Sequence, residues 1–409
     1  MSTYESDLLR LLDERGHIHQ VTDPVALDKL ARTEVITAYV GFDPTAASLH
    51  IGNLASIMLL RRVQQAGHRP IVIMGGGTAK VGDPSGKDET RQMLTDAVLA
   101  SNIASIKDSF RKILRFDESP TGALLINNDD WLSKLGYIEL LREVGTHLTV
   151  NRMLTFDSVR LRLDREQPLT FLEFNYMIMQ AYDFVVLSRE YGCKLQLGGS
   201  DQWGNIVNGI ELARRIDGTE VYGVTAPLIT RADGQKMGKS VSGAIWLNED
   251  MLPAYDFWQY WRNVDDRDVG RFLRLFTDLP LDEISRLEVL EGAEINAAKV
   301  VLANEVTKLV RGEDAAARAE ATALETFAGS GAGEDLPSIA TGPEGMRLAA
   351  LLTALGLTAS GGEAKRKLGE GAVRLEGETV SDPAQLVLPD AGQTLRLSLG
   401  KKRHALVTR

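Results

Sequence analysis

Two short segments far apart in the chain carry residue types that handle phosphate groups. His50-Ile-Gly-Asn53 follows an apolar run and precedes a helical pattern, so it is predicted to begin a helix. Unpaired amide groups and the dipole at a helix start favour an anion, and Gly52 lets a ligand approach the backbone closely. The second segment, Lys236-Met-Gly-Lys239-Ser240, places two lysines where they could neutralise charge that shifts between phosphate oxygens. Together the two segments indicate a site for a nucleoside triphosphate.

Either segment alone is more often incidental, because its residues are common and a lysine-rich loop is usually solvated surface. The two occur in this order, 186 positions apart from His50 to Lys236, and this pairing favours the functional interpretation. Two rival nucleotide motifs fit less well. Gly75-Gly-Gly-Thr-Ala-Lys80 lacks the last glycine of the dinucleotide pattern, and Gly82-Asp-Pro-Ser-Gly-Lys87 is one residue too short for a P-loop. A dehydrogenase and a P-loop NTPase are therefore disfavoured.

A third group of polar residues lies on one face of a predicted helix. Tyr176, Gln180 and Asp183 are spaced i, i+4 and i+7 and therefore share that face. They could form a solvated stripe, but apolar residues cover most of the remaining circumference: Met177, Ile178, Met179, Tyr182, Phe184, Val185 and Val186. A polar stripe on a buried helix needs hydrogen-bond partners, and a ligand cavity would supply them.

The elements that position these residues are predicted from alternating apolar runs and helical patterns in residues 1–240. The predicted strands are Val35–Phe42, Pro70–Met74, Ala123–Ile126 and Lys194–Leu197. The predicted helices are Asn53–Ala66 and Tyr176–Val186. This alternation is typical of an α/β domain with a Rossmann-like parallel sheet, whose ligand site lies at the carboxyl ends of the strands.

The second half of the chain changes character. From residue 249 to 327 helical periodicity dominates, and residues 328–338 are rich in Gly, Ser and Pro, as in a linker. Beyond them we predict helices near Glu344–Leu355 and Gly362–Glu370, and strands around Val373–Leu375 and Thr394–Ser398. We therefore expect a catalytic domain at 1–248, an α-helical domain at 249–327, a linker at 328–342 and a small α+β domain at 343–409.

Composition limits the kind of partner. The net charge of −10 argues against a protein that coats nucleic acid along its whole surface. Residues 343–409, however, hold ten lysines and arginines against seven acidic residues, which suggests an RNA contact confined to this end. A single cysteine, Cys193, and six scattered histidines give no disulfide framework or zinc site, so we expect no protein-ligated metal. Without an apolar signal core or a membrane-length apolar run, the expected location is the cytoplasm.

The paired segments at His50 and Lys236 resemble the two signature motifs of the class I aminoacyl-tRNA synthetases. Glu173–Phe184 and Leu195–Asn205 are similar to the tyrosine-specific, bacterial-type branch, and less similar to the tryptophan-specific one. Two departures stand out, since Asn53 replaces the more usual second histidine and Gly238 replaces a serine. The resemblance implies that the chain activates tyrosine with ATP and Mg²⁺, esterifies it to its tRNA and works as a homodimer.

The resemblance also assigns expected roles, residue by residue. Tyrosine would be held by Tyr39, Asp83, Tyr176, Gln180, Asp183 and Gln202. ATP would contact Gly41, Asp43, His50, Gly52, Asp201 and Lys239. The catalytic residues would be Thr45, His50, Asn53, Lys236, Lys239 and Ser240, with Lys87 and Arg91 near pyrophosphate.

The end of the chain resembles the S4-type RNA-binding domain. The similarity is carried by Leu348–Leu352, Gly361–Leu368 and Gly371–Val380. It implies phosphate contacts from the residues Lys365, Arg366, Lys367 and Arg374, with the cluster Lys401-Lys402-Arg403 beside them. A solvated basic helix is the alternative. In relatives this domain binds the long variable arm of the tRNA, and the preceding helical region approaches the anticodon.

Three other functions stay open at this stage. A tryptophan–tRNA ligase is the nearest, and Tyr39 with Asp183 argues against it. A nucleotidyltransferase would share the histidine motif but lack the tyrosine pocket and the RNA-binding end. A synthetase-like RNA-binding protein without catalysis would be expected to carry a damaged pocket or lysine motif, and both are intact in this sequence.

Overall fold

The structure is a computed structural model that describes residues 2–83, 94–230, 232, 234, 237, 239–240, 243–328, 336–400 and 403–409. For residues 157, 158, 239, 240, 243 and 326–328 it describes the backbone alone. Contacts divide the chain into two compact units. The first comprises 1–237 and 265–289, and the second comprises 238–264 and 290–409.

Strands and helices alternate through most of the first unit, and a second set of strands closes the chain. The strands are β1 Gln20–Val21, β2 Thr37–Phe42, β3 Arg69–Met74, β4 Leu124–Asn127, β5 Cys193–Gly199, β6 Tyr222–Ala226, β7 Lys239–Ser240, β8 Gly243–Ala244, β9 Ser338–Ala340, β10 Met346–Arg347, β11 Val373–Leu375, β12 Glu378–Thr379, β13 Leu386–Val387, β14 Thr394–Leu399 and β15 Arg403–Thr408. The α-helices are α1 Asp7–Glu14, α2 Pro24–Thr33, α3 Ile51–Gln65, α4 Asp96–Ile113, α5 Asp129–Leu132, α6 Tyr137–Glu143, α7 Val150–Met153, α8 Asp157–Asp164, α9 Phe171–Phe174, α10 Tyr176–Tyr191, α11 Trp203–Asp217, α12 Ala254–Arg262, α13 Val269–Phe276, α14 Leu281–Glu288, α15 Ile295–Arg311, α16 Glu313–Ala328, α17 Leu348–Ala354 and α18 Gly361–Gly369.

A six-stranded sheet forms the centre of the first unit, with strand order β1-β6-β5-β2-β3-β4. Strands β6 to β4 of that order are parallel, and β1 adds an antiparallel edge to β6. The central strands are buried, as expected when helices cover both faces of a parallel sheet. The carboxyl ends of β2, β3, β4 and β5 therefore lie along one edge, where a doubly wound sheet binds its ligands.

One buried cluster packs a sheet face against α10 and α11. Tyr39, Ile71 and Ile73 from the strands meet Phe184 and Leu212 from the helices in one buried cluster. Helix α10 is apolar on most sides, so it lies in the interior, and Gly192 ends it in the left-handed conformation at φ 61°. The helix that carries the polar stripe is thus fixed over the sheet.

The second unit contains two kinds of structure. Helices α12, α15 and α16 pack together, and Trp258 of α12 donates from Nε1 to Asn304 Oδ1 at 2.7 Å. Beyond residue 336, a five-stranded sheet of order β12-β11-β14-β15-β9 is joined by a two-stranded sheet, β10-β13. Leu351, Leu368, Val373, Leu397 and Val407 share the core of this last part with helices α17 and α18.

Most of the elements expected from sequence are present with small shifts at their ends. The helix predicted from Glu344 begins only at Leu348, because Met346–Arg347 pair with Val387 and Leu386 as strand β10. Strand β15, Arg403–Thr408, was not predicted. Among the described residues, no helix combines the length and apolarity that crossing a membrane requires.

Candidate active site

The first polar feature at the strand ends is the start of helix α3. His50 is its N-cap, and its Nδ1 accepts the Gly52 amide at 3.0 Å, while Asn53 Oδ1 accepts the His50 amide at 3.1 Å. Each side chain thus satisfies an amide that the helix leaves unpaired. Because Nδ1 accepts a hydrogen bond, a neutral His50 ring carries its proton on Nε2. A Cβ at Gly52 would lie 2.8 Å from His50 Cε1, so glycine is required for this cap.

The lysine motif is described only in part. Met237 donates its amide to the Ile229 carbonyl at 2.8 Å, and its own carbonyl lies 3.4 Å from where a Gly52 Cβ would stand. Lys239 and Ser240 form a backbone ladder with Gly243–Ala244. Lys236 and Gly238 lie outside the described residues, as do Lys87 and Arg91.

A chain of hydrogen bonds crosses the strand ends behind β2. Asp43 Oδ2 accepts the Tyr176 hydroxyl at 3.1 Å, and Asp43 Oδ1 accepts the Thr78 hydroxyl at 2.8 Å. Asn128 donates from Nδ2 to Thr78 Oγ1 at 3.1 Å and to Asp183 Oδ2 at 2.9 Å. Two carboxylates from different elements are therefore linked through neutral side chains, which fixes their orientation.

Asp183 is the buried acidic group of this chain. It is 4% exposed and accepts Trp131 Nε1 at 2.8 Å in addition to the Asn128 amide. Burial raises the pKa of Asp183 to about 7, the charge of Asp43 acts in the same direction, and the two hydrogen bonds oppose them. The carboxyl group therefore changes its charge close to neutral pH.

Tyr39 and Gln196 add two buried polar groups to the same sheet face. They are register partners on adjacent parallel strands, so their side chains point the same way. Tyr39 is 1% exposed, and neither its hydroxyl nor Gln196 Oε1 has a hydrogen-bond partner among the described residues. Burial and the nearby Asp183 raise the pKa of the Tyr39 phenol well above its usual value. Tyr39 thus stays protonated and can donate to a ligand.

A second polar network starts from the middle of α10. Gln180 donates to Gln202 Oε1 at 3.3 Å, and Asn205 donates to Gln180 Oε1 at 3.0 Å and to Gln202 Oε1 at 3.1 Å. Gln202 in turn donates to Asp83 Oδ2 at 3.0 Å. The amide side chains are held by one another and direct a carboxylate to the end of the network. Such an arrangement can receive a cationic group.

The remaining predicted residues lie at loops and surfaces. Gly41, Thr45 and Asp201 are exposed near the ends of β2 and β5. On α18, Lys365 and Arg366 are exposed and Lys367 donates to Glu370 at 2.8 Å, while Arg374 is exposed on β11. Lys401 and Lys402 lie outside the described residues.

Sequence reasoning missed four polar side chains of this region: Thr78, Asn128, Trp131 and Gln196. Three of them follow strands β3 and β4, and their position just beyond the carboxyl end of a predicted strand is the signal that could have found them. Gln196 is a polar residue within a predicted strand of a parallel sheet, which is also unusual enough to indicate a site.

Comparisons with known proteins match the whole chain. The family model described as tRNA synthetases class I (W and Y) matches residues 31–328. The tyrosine–tRNA ligase of Novosphingobium aromaticivorans is 64% identical over 407 residues, covering 100% of this chain and 99% of the relative. That of Zymomonas mobilis is 58% identical over 407 residues, with the same coverage of 100% and 99%. Among solved structures, a C-terminally truncated mitochondrial tyrosyl-tRNA synthetase of Aspergillus nidulans superposes with a TM-score of 0.72 at 30% identity, covering 79% of this chain and 95% of that one.

Proposed function

The chain belongs to the class I tRNA synthetases for tryptophan and tyrosine, and we propose that it works as a tyrosine–tRNA ligase through the pocket formed by Tyr39, Asp183 and the middle of α10. The reaction converts L-tyrosine and ATP into tyrosyl-adenylate and pyrophosphate, and then transfers tyrosine to the 3′ end of its tRNA. The observation that carries the proposal is a pair of neighbouring buried groups, a phenol that can donate and a carboxyl group that can accept, close enough for the charge of Asp183 to raise the pKa of Tyr39.

The pair selects a hydroxyl group by hydrogen-bond inventory. The phenolic hydroxyl of tyrosine both donates and accepts, so it can donate to Asp183 and accept from Tyr39. The indole of tryptophan has an N–H but no acceptor, so the Tyr39 hydroxyl would stay unpaired beside it. Phenylalanine would leave both groups unpaired, which is more unfavourable than the loss of a methylene contact. Tyrosine is therefore the amino acid that this pair fits.

The second network supports a position for the backbone of the amino acid. We assign the α-ammonium group to Tyr176, Gln180 and Asp83. Gln202 orients the carboxylate of Asp83, and the Tyr176 hydroxyl is oriented by its hydrogen bond to Asp43. Gln202 and Asp201 follow β5 and would face the carboxylate or the ribose. With the phenol at one end and the ammonium at the other, the carboxylate of tyrosine points along the strand ends.

ATP would bind across the start of α3. We assign Gly41, Asp43 and Gly52 to the nucleotide, Thr45 and His50 to the γ-phosphate, and Asn53 to the support of His50. Lys236, Lys239 and Ser240 would bind the phosphates, a role that rests on their motif. Mg²⁺ would enter with ATP, coordinated by phosphate oxygens.

Adenylate formation then needs no protein nucleophile. The ionised carboxylate of tyrosine attacks the α-phosphorus in line, a C–O–P bond forms, and the bond from the α-phosphorus to the bridging oxygen of pyrophosphate breaks. His50, which would donate from Nε2, and the positive end of the α3 dipole would stabilise negative charge that develops on the phosphate oxygens. The protein side chains bind and orient the substrates and neutralise charge, and none of them forms a covalent bond to a substrate.

The tRNA would be bound by the end of the chain. We propose phosphate contacts from Lys365, Arg366, Lys367 and Arg374, which lie on α18 and β11 of one small sheet-and-helix structure. The expected domain limits, 1–248, 249–327, 328–342 and 343–409, are kept as part of this proposal. The expected location in the cytoplasm also stays a prediction.

A homodimer is supported by the distribution of exposed apolar side chains. Among the residues that the structure describes, nine of the eighteen large exposed apolar side chains fall within positions 137–172, the stretch from α6 to α9: Tyr137, Ile138, Leu141, Val150, Leu154, Leu161, Leu163, Phe171 and Leu172. Large apolar patches on a folded protein are usually covered by a partner. We propose that a second copy of this chain covers these residues.

The test is exchange of radioactive pyrophosphate into ATP, with the twenty amino acids supplied singly. Exchange with tyrosine alone is the expected result. Exchange with tryptophan would show that the Tyr39–Asp183 pair has been misinterpreted. No exchange with any amino acid would favour an RNA-binding protein without catalysis.

A further inference from the structure

Asp268 is a buried acidic residue that does not perform the role its position predicts. It stands at the N-cap of helix α13, where an aspartate ordinarily accepts an amide of its own helix, yet it makes no such bond. Instead Asp268 Oδ2 accepts the amide of Ala232 at 2.8 Å. The carboxylate therefore reaches a distant part of the chain, four residues before Lys236.

Arg271 completes this contact one turn along the helix. It donates from Nη2 to Asp268 Oδ1 at 2.7 Å, and it also donates to the carbonyl oxygen of Thr230. The two side chains thus hold the amide of Ala232 and the carbonyl of Thr230 at the same time. Hydrogen bonds that involve charged groups are stronger than neutral ones, so the two charged side chains hold these two backbone groups firmly.

The middle of the segment 265–289 is fixed to helix α3, whose N-cap is His50. Asp278 accepts from Arg61 and Arg62, which lie near the end of α3, and Arg62 also donates to the Thr277 carbonyl at 2.6 Å. Arg15 donates to the same carbonyl at 2.8 Å. Arg61 and Arg62 together hold the pKa of Asp278 well below its usual range, despite its partial burial. The segment is thereby anchored on α3.

We propose that Asp268, supported by Arg271, is a positioning residue for adenylate formation. It fixes residues Thr230 and Ala232, which precede the Lys236–Ser240 motif, relative to helix α3. The first turn of α3 is the proposed phosphate site. The amide of Met237 donates to the Ile229 carbonyl, so Thr230 and Ala232 lie between two residues that are hydrogen-bonded to each other. The inference rests on the proposed function, because it assigns the motif to ATP.

The test compares the rate of tyrosine-dependent pyrophosphate exchange with the equilibrium affinity for tyrosine. Asp268→Asn retains the shape of the side chain but replaces an acceptor by a donor, so one of the two contacts is lost. We expect the exchange rate at saturating substrates to fall about 10- to 100-fold, the effect of small misplacements of reacting groups. The dissociation constant for tyrosine, measured by equilibrium dialysis, should stay within about twofold of the parent value.

Glu288→Gln is the matched control. It breaks the ion pair between Arg274 and Glu288 in the same segment, and neither of these side chains takes part in the hydrogen bonds that hold Thr230 and Ala232. Glu288→Gln should leave both the exchange rate and the dissociation constant for tyrosine unchanged. If Asp268→Asn fails to fold, Arg271→Ala replaces it, since that side chain is 43% exposed and its loss removes the contact with Thr230.

Each outcome decides the inference. An exchange rate close to that of the parent in Asp268→Asn or Arg271→Ala would overturn it. Parallel loss of tyrosine affinity and exchange would also overturn it, because the residue would then support the pocket and not the lysine motif. Absence of tyrosine-dependent exchange in the unmodified protein is a separate result that refutes the proposed function itself.

Discussion

The hydroxyl group of Tyr39 offers a sharp test of the pocket, because it is buried without a hydrogen-bond partner among the described residues. Tyr39→Phe removes this oxygen and leaves the ring, which packs edge-on against Phe184 with a centroid distance of 5.2 Å. Since the aromatic packing is retained, the change isolates the hydroxyl group. We expect opposite effects on the stability of the free protein and on tyrosine activation.

The magnitudes follow from the two environments of the hydroxyl group. A buried polar group without a partner is unfavourable by about 1–3 kcal/mol, so Tyr39→Phe should stabilise the free protein by up to that amount. Bound tyrosine would lose one hydrogen bond between neutral groups, which contributes about 0.5–1.5 kcal/mol. That loss corresponds to a decrease in kcat/KM for tyrosine of about 2- to 13-fold. Phenylalanine has no oxygen to lose, so the tyrosine-to-phenylalanine ratio should fall by the same factor.

The assay combines thermal unfolding of the free protein with pyrophosphate exchange at a series of tyrosine and phenylalanine concentrations. Tyr182→Phe is the control, because Tyr182, on α10, packs partly buried against the same core as Tyr39 but is not one of the residues assigned to the proposed pocket. The control should leave the ratio unchanged. A Tyr39→Phe protein that is less stable and activates tyrosine as well as the parent would refute the reasoning, since the hydroxyl would then have an internal partner and no role in recognition.

Three further predictions concern pH, the end of the chain and the apolar patch. The pKa of Asp183 is raised in the folded protein from its ordinary value of 3.8 to about 7, so the protonated carboxyl group contributes stability that is lost as pH rises through about 7. Tyrosine would donate to the ionised form, so its affinity should increase as pH rises from 6 to 8. Calorimetric titration checks this, and Asp183→Asn should show a flat profile. Deleting residues 343–409 should abolish tRNA charging and spare pyrophosphate exchange, and undiminished charging would remove the RNA-binding role. Phe171→Asp, at a residue 69% exposed, should yield monomers by sedimentation, whereas Val289→Asp, at a residue 75% exposed outside the patch, should not.

The elements around the site could be predicted because their patterns are local. Helix α3 and helix α10 were expected from apolar periodicity, and β2, β3, β4 and β5 from short apolar runs. Helix α17 starts later than expected because strand pairing with residues 386–387 takes its first residues, and no local pattern encodes that partner. Edge strands such as β1 have the same difficulty, since two residues pair only because β6 lies beside them.

Only part of the arrangement of polar side chains at the proposed pocket follows from the sequence. Tyr176, Gln180 and Asp183 share a helix face that periodicity reveals. Asn128 and Trp131, which hold Asp183, come from a different strand end and become neighbours only in the folded sheet. The contact of Asp268 with Ala232 is equally invisible in sequence, where an aspartate before a helix predicts a cap that Asp268 does not form.

Residues that recognise the amino acid and residues that handle phosphate differ in how the structure reveals them. His50 and Asn53 satisfy each other at the start of α3, so their geometry alone would pass for an ordinary helix cap. Tyr39 and Gln196 are buried with polar atoms that have no partner in the described part of the chain, an arrangement that destabilises the free protein. Under the proposed function such groups persist because a ligand pairs with them, so the unfavourable energy of the free site would become discrimination when tyrosine binds. The specificity that we propose for this chain would therefore reside in groups that pair with the substrate and not with one another.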